Sequence, residues 1–139
     1  MASNIYFDTN IFIDLLDSTR PFGKESMQYT RYLIGDTHSL YINSDTVTNA
    51  FYVMRKSKAY TPKELLALFK ITVSLFTVVA VEDKEVLLTL DLCEDNTNSC
   101  KDYEDTLQYV CAKKVNADLI VTNDKGFVGL DITVKRTKE

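Results

Sequence analysis

The chain has 139 residues, 45% of them apolar, which is enough to bury a sizeable core in one folded domain and too apolar for a disordered one. A formal net charge of −4 and a pI near 5.0 exclude a protein whose whole surface grips nucleic acid by bulk charge, but they leave room for a basic patch beside an acidic pocket. No apolar run approaches the roughly 20 residues of a membrane helix. The three cysteines, Cys93, Cys100 and Cys111, lack metal-site spacing. With an opening Met1-Ala2-Ser3-Asn4 that is not a basic targeting leader, they point to reduced thiols in the cytoplasm.

The first predicted element is a buried strand over residues 4–8, where Ile5-Tyr6-Phe7 runs into Asp8. A short helix follows over 10–17, with Thr9 or Asn10 near its cap, and Arg20-Pro21-Phe22-Gly23 reads as a loop. The spacing predicts a helix over 24–34 that Gly35 ends, a strand over 39–42, and a helix over 45–57 capped by Ser44 with Val47, Phe51 and Met54 inward. Thr61-Pro62 opens a helix that runs to about Ser74. Residues 76–81 read as a strand, 82–92 as a helix, and 94–99 as a turn. A helix over 102–115 carries acids in its first turn and Lys113-Lys114 in its last, the charge order the helix dipole prefers. Strands at 119–122 and 132–134 complete an α/β alternation that implies a central, mostly parallel sheet of four or five strands between helical layers.

The acids follow that alternation. Asp8 ends the first strand, at the edge where open α/β sheets place their ligands, and a carboxylate there needs a cation, a donor or water. Asp45 and Asn49 share a face of the helix after the second strand. Asp102 and Asp105 share one in the first turn of a later helix, and Asp124 follows the strand ending at Thr122. Converging carboxylates repel unless a cation neutralises them. Oxygen-only ligands suit Mg²⁺ or Mn²⁺, and a single histidine, His38, argues against zinc or a Ser-His triad. A capping reading stands beside this one for Asp102, Glu104 and Asp105, and a turn reading for Asp124. Asp14 and Asp17 are expected to face solvent, and Cys111 to be a small core residue.

Three segments resemble one family in its own motif order. They are Tyr6-Phe7-Asp8-Thr9-Asn10, then Asp102-Tyr103-Glu104-Asp105-Thr106-Leu107-Gln108-Tyr109, then Ala117 to Phe127 around Thr122-Asn123-Asp124. The family is that of the PIN-domain nucleases, which includes the VapC-type toxins of bacterial toxin–antitoxin pairs. The resemblance implies a single PIN-like domain over 1–139, a three-layer α/β sandwich, and Mg²⁺- or Mn²⁺-dependent cleavage of RNA. It further implies Asp8, Asp105 and Asp124 as catalytic and metal-binding acids, with Asn10, Asn49, Asp102 and Thr122 as auxiliary residues. A cognate antitoxin and a homodimer are implied partners. One departure stands out: Asn49 occupies the place where many members carry a Glu, offering a neutral carbonyl for a charge.

Arg55, Lys56, Lys58 and Lys125 are candidate RNA-binding cations, with a solvated surface as the alternative for that run. Two rival functions remain at this stage. A non-catalytic RNA- or protein-binding domain would keep the fold with weak metal binding through Asn49. A haloacid dehalogenase-type phosphatase would explain Asp8 and Thr122-Asn123, although Asn10 stands where that chemistry needs a second acid.

Overall fold

The computed structural model describes residues 3–138; Met1, Ala2 and Glu139 lie outside the described residues. Five strands, β1 (Asn4–Phe7), β2 (Ser39–Asn43), β3 (Thr77–Val79), β4 (Leu119–Val121) and β5 (Thr133–Lys135), form one sheet in the order β3-β2-β1-β4-β5. Every pairing is parallel. The chain order reverses at β1, between β2 and β4, so the crevice for a ligand opens at the carboxyl ends of β1 and β4.

Six helices connect the strands: α1 (Thr9–Leu16), α2 (Gly23–Gly35), α3 (Ser44–Met54), α4 (Pro62–Val73), α5 (Asp83–Glu94) and α6 (Tyr103–Lys114). They divide the core in two. Ile5 and Phe7 of β1 point to the side where Phe12, Leu33, Ala50, Leu65 and Phe69 pack from α1 to α4. Tyr6, between them, points to the other side, against Leu107, Val110 and Cys111 of α6. This is the period-two alternation of a strand covered on both faces.

Side-chain caps start several of the helices. Thr61 and Glu64 form a reciprocal capping box behind Pro62, at the predicted place. Two predicted caps move toward the N-terminus. Asp8, not Thr9 or Asn10, caps α1. Asn43, not Ser44, caps α3, its Oδ1 accepting from Thr46 N at 2.8 Å, because its amide is fully buried and must spend its acceptor on a backbone donor.

Candidate active site

Asp8 leaves the carboxyl end of β1 with its backbone N–H donating to Val121 O at 2.9 Å, which ties it to β4. Its side chain is 2% exposed. Oδ1 accepts from Thr9 N at 2.8 Å and Oδ2 from Thr122 Oγ1 at 2.7 Å. The Thr122 oxygen in turn accepts from Asp124 N at 3.1 Å, so its single proton is committed to Asp8. One fully buried threonine therefore joins the first acid to the last. Asp124 is turned by its own Oδ1, which accepts from Gly126 N at 2.9 Å.

Asp105 arrives from α6, where Asp102 caps the helix by accepting from Asp105 N at 2.9 Å. The capping reading therefore holds for Asp102 and leaves the Asp105 side chain free to face the other acids. A buried polar chain sets the position of α6. Gln108 Nε2 donates to Thr9 Oγ1 at 2.7 Å, while its Oε1 accepts from the Tyr6 hydroxyl at 2.5 Å and from Asn43 Nδ2 at 3.3 Å. Thr9 and Thr46 share a further bond at 2.9 Å. Three helices and two strands meet in this cluster, and among the described residues no buried side-chain polar atom is left without a partner.

The electrostatics are unfavourable as they stand. Burial pushes the Asp8 carboxyl up to about 6 from an ordinary 3.8. The hydrogen bonds from Thr122 and Thr9 oppose that shift, and the charges of Glu104 and Asp124 add to it. Asp105 is pushed up to about 7, by burial first, then by Asp8, Asp102 and Asp124, and by a hydrogen bond shared with Asp124. Glu104 is raised too, by burial and then by Asp102 and Asp45. These carboxyls repel one another, and the donors are all oxygens, the set that hard divalent ions take. Among the described residues no three His, Cys, Asp or Glu already enclose an ion position. The fit is by charge and donor type, with the open coordination that Mg²⁺ keeps through its waters.

Not every candidate joins this centre. Asn10 and Lys125 line a cavity of about 370 Å³ that also reaches Asp124. Asn49 is exposed on α3, one turn after Asp45. Arg55 and Lys56 lie at or just beyond the far end of α3, over the Tyr52 ring at 4.1 and 5.3 Å, and Lys58 follows them at the surface; the structure does not bring this run to the acids. The expectation for Asp14 is overturned. It is 5% exposed, because Arg20 Nε at 2.7 Å and Ser26 Oγ at 2.6 Å satisfy it inside the fold. Tyr6, Glu104 and Gln108 lie inside the resembling segments, but no role at the centre is expected of them there; the fold supplies their contacts.

A PIN-domain family model matches residues 4–126. The chain belongs to the PIN-domain family. Ribonuclease VapC1 of Aquifex aeolicus (strain VF5) is 36% identical to this PIN domain over 138 residues, 99% of this chain and 93% of that protein. A toxin–antitoxin complex from Klebsiella pneumoniae contains a chain that matches this PIN domain with a TM-score of 0.68 at 19% identity, covering 96% of this chain and 97% of that one. VapC20 of Mycobacterium tuberculosis, described as a sarcin-ricin loop cleaving toxin, matches with a TM-score of 0.68 at 12% identity, covering 91% and 98%. At those identities the two structures share the PIN fold. The phosphatase reading of Thr122-Asn123 falls with the family assignment. No helix among the described residues is long and apolar enough to cross a membrane.

Proposed function

We propose that this PIN domain is an endoribonuclease that hydrolyses RNA phosphodiesters with Mg²⁺ or Mn²⁺, as the toxin of a toxin–antitoxin pair restrained by a cognate antitoxin protein. The observation that carries the reading is the meeting of Asp8, Asp105 and Asp124 at the carboxyl edge of the sheet, with the first two carboxyls pushed toward neutrality by burial and by one another. Relatedness to a ribonuclease over nearly the whole chain supports it, and the toxin–antitoxin complex with the same fold supports the partner.

In this reading Asp8, Asp105 and Asp124 hold the cation, Asp102 fixes the first turn of α6, and Thr122 keeps Asp8 in one orientation. A divalent ion held there would polarise a phosphate oxygen and lower the pKa of a water, so that hydroxide is available for in-line attack. The chain's own contribution is orientation. The hydroxyl of Thr122 donates to Asp8 Oδ2 and so directs that carboxylate's remaining lone pairs, and Gln108 sets the distance between α1 and α6. Exposed apolar side chains on α2, α3 and α4, including Tyr32, Ile34, Tyr52 and Ile71, support a homodimer, which light scattering at micromolar concentration would detect.

The test is cleavage of an end-labelled RNA with Mg²⁺, with Mn²⁺ and in EDTA, beside a phosphate monoester. Internal cuts that need the metal, with the monoester untouched, are expected. Cutting that persists undiminished in EDTA overturns the metal role, and intact RNA under every condition overturns the nuclease.

A further inference from the structure

The cavity beside Asp124 is walled on its far side by Arg20, Pro21 and Phe22 of the α1–α2 loop. Arg20 uses only one edge of its guanidinium inside the protein: Nε donates to Asp14 Oδ1 at 2.7 Å. Asp14 is nearly enclosed, with 7% of its side chain exposed against 30% for Arg20. The carboxylate is itself fastened by Ser26, which bonds to Thr137 at 3.1 Å, and Thr137 Oγ1 accepts from Asn123 Nδ2 at 2.7 Å. The guanidinium is thus anchored through α1, α2 and the residue next to Asp124. Among the described residues no other side chain takes its outer edge. A planar fork of donors held rigidly, partly in solvent, at the rim of an acidic centre is suited to a phosphate, with little side-chain freedom to lose on binding. Phe22, 37% exposed at the same rim, carries the Lys138 ammonium 4.7 Å from its ring centroid, which brings a second cation to the Arg20 side of the cavity.

Taking the ribonuclease reading as its basis, we propose that Arg20 binds the RNA phosphate next to the scissile one, in the cavity it shares with Asp124, while Asp14 holds the guanidinium in place. Single-stranded RNA then crosses the acid centre with a backbone phosphate clamped on the Arg20 side. Arg20 is a substrate-binding residue and Asp14 a positioning residue.

The test measures fluorescence anisotropy of a labelled single-stranded oligoribonucleotide against protein carrying Asp8→Asn, in Mg²⁺, over a series of salt concentrations. The double variant Asp14→Asn/Arg20→Met removes the cation without leaving a buried charge, and its melting temperature is measured alongside. It should bind about tenfold more weakly and lower the slope of log affinity against log salt by about 0.7, one single-strand phosphate contact. Arg20→Lys keeps the charge opposite Asp14 and loses the fork; it should keep the slope and bind several-fold more weakly, which decides the matter if the double variant does not fold. Lys63→Met, an exposed cation on α4, should change neither quantity. In protein with Asp8 intact, Arg20→Lys should raise KM for cleavage with kcat retained. Equal affinity and slope in the Arg20 variants, or no RNA binding by the parent protein, overturns the proposal. Cleavage by the wild type with unchanged binding by the Arg20 variants sinks this site alone. Lost binding in the Arg20 variants of a protein that never cuts RNA sinks the nuclease reading and leaves the site.

Discussion

Two buried carboxylates six residues apart, at the cap and in the last turn of α1, are treated in opposite ways. Asp14 has a guanidinium at 2.7 Å and a hydroxyl at 2.6 Å. Asp8, still less exposed, has hydrogen bonds from a backbone amide and a threonine and, among the described residues, no side-chain cation in a salt bridge with it, while other acids lean on it. The fold is able to neutralise a buried acid with a side chain, and does so at Asp14. At Asp8 it leaves that charge to be neutralised from outside, by a proton or by a metal ion. One region is finished by folding; in the proposed reading the other is completed by a metal ion.

The largest effect should come from breaking the unfinished side. Asp8→Asn and Asp105→Asn are isosteric and remove a charge each, and each should slow RNA cleavage by about 10²-fold or more, since the cation's position depends on both. Initial rates at saturating RNA measure this, and a loss below tenfold in either variant would take that residue out of the metal site.

Adding a divalent cation should have the next largest effect. An ion that binds the folded site only stabilises by about 2.7 kcal/mol at a hundredfold excess over its Kd, which for a chain of this length is a rise of roughly 8 °C. Thermal melts of the wild type with Mg²⁺ or Mn²⁺ and with EDTA should show it, and Asp105→Asn should shift much less. Breaking the finished region should move stability the other way. Asp14→Ala leaves Arg20 without its partner, and because that guanidinium already reaches water the cost is discounted to about 2 kcal/mol, with no dependence on metal. A metal-dependent loss at Asp14 would erase the contrast between the two sites.

A pH series sharpens the same comparison within the acid centre. Asp105 has its folded pKa raised to about 7 from 3.8. Below about pH 4 both folded and unfolded chains keep that proton and nothing is lost. Between 4 and 7 the unfolded chain ionises first, so the metal-free wild type should lose stability as pH rises, the loss being complete above 7. Since Asp105 is only partly buried, the effect is discounted to about 1 kcal/mol. In EDTA, Asp105→Asn should therefore melt with the wild type at pH 4 and a few degrees above it at pH 7.5. A variant less stable at both pH values would make Asp105 a helix-dipole residue only.

The difference between the two regions also explains what the sequence disclosed. The sheet and its six helices were legible because apolar period and caps are local: Ile5-Tyr6-Phe7, the Thr61-Pro62 start and the Lys113-Lys114 end each act within a few residues. Asp8 was legible because an acid directly after a buried strand has no packing role. Asp14 was not, because an acid inside a helix looks solvent-facing until Ser26 and Arg20 are known to close over it. Gln108 hid for the same reason. Its partners Tyr6 and Thr9 are about a hundred residues away along the chain, and only the finished fold brings them together.

The smallest expected effect concerns Asn49, the position where the family's more usual acid is replaced. It is exposed on α3, one turn after Asp45, whose charge reaches Glu104 at the edge of the acid centre. A neutral carbonyl there contributes less to holding a cation than a carboxylate would. Asn49→Ala should then slow cleavage by less than about threefold, well short of the loss at Asp8. Asn49→Glu makes the sharper measurement, because it adds a charge to a centre already short of cations. It should lower the Mg²⁺ concentration needed for half-maximal cleavage and, in EDTA, lower the melting temperature, since another carboxylate must then be held near Asp45 and Glu104 without an ion. If Asn49→Ala costs as much as Asp8→Asn, the side chain reaches the bound substrate or ion directly and the acid centre extends onto α3. If Asn49→Glu changes neither the metal requirement nor the melt in EDTA, the position lies outside the field of the centre, and three acids with their waters suffice.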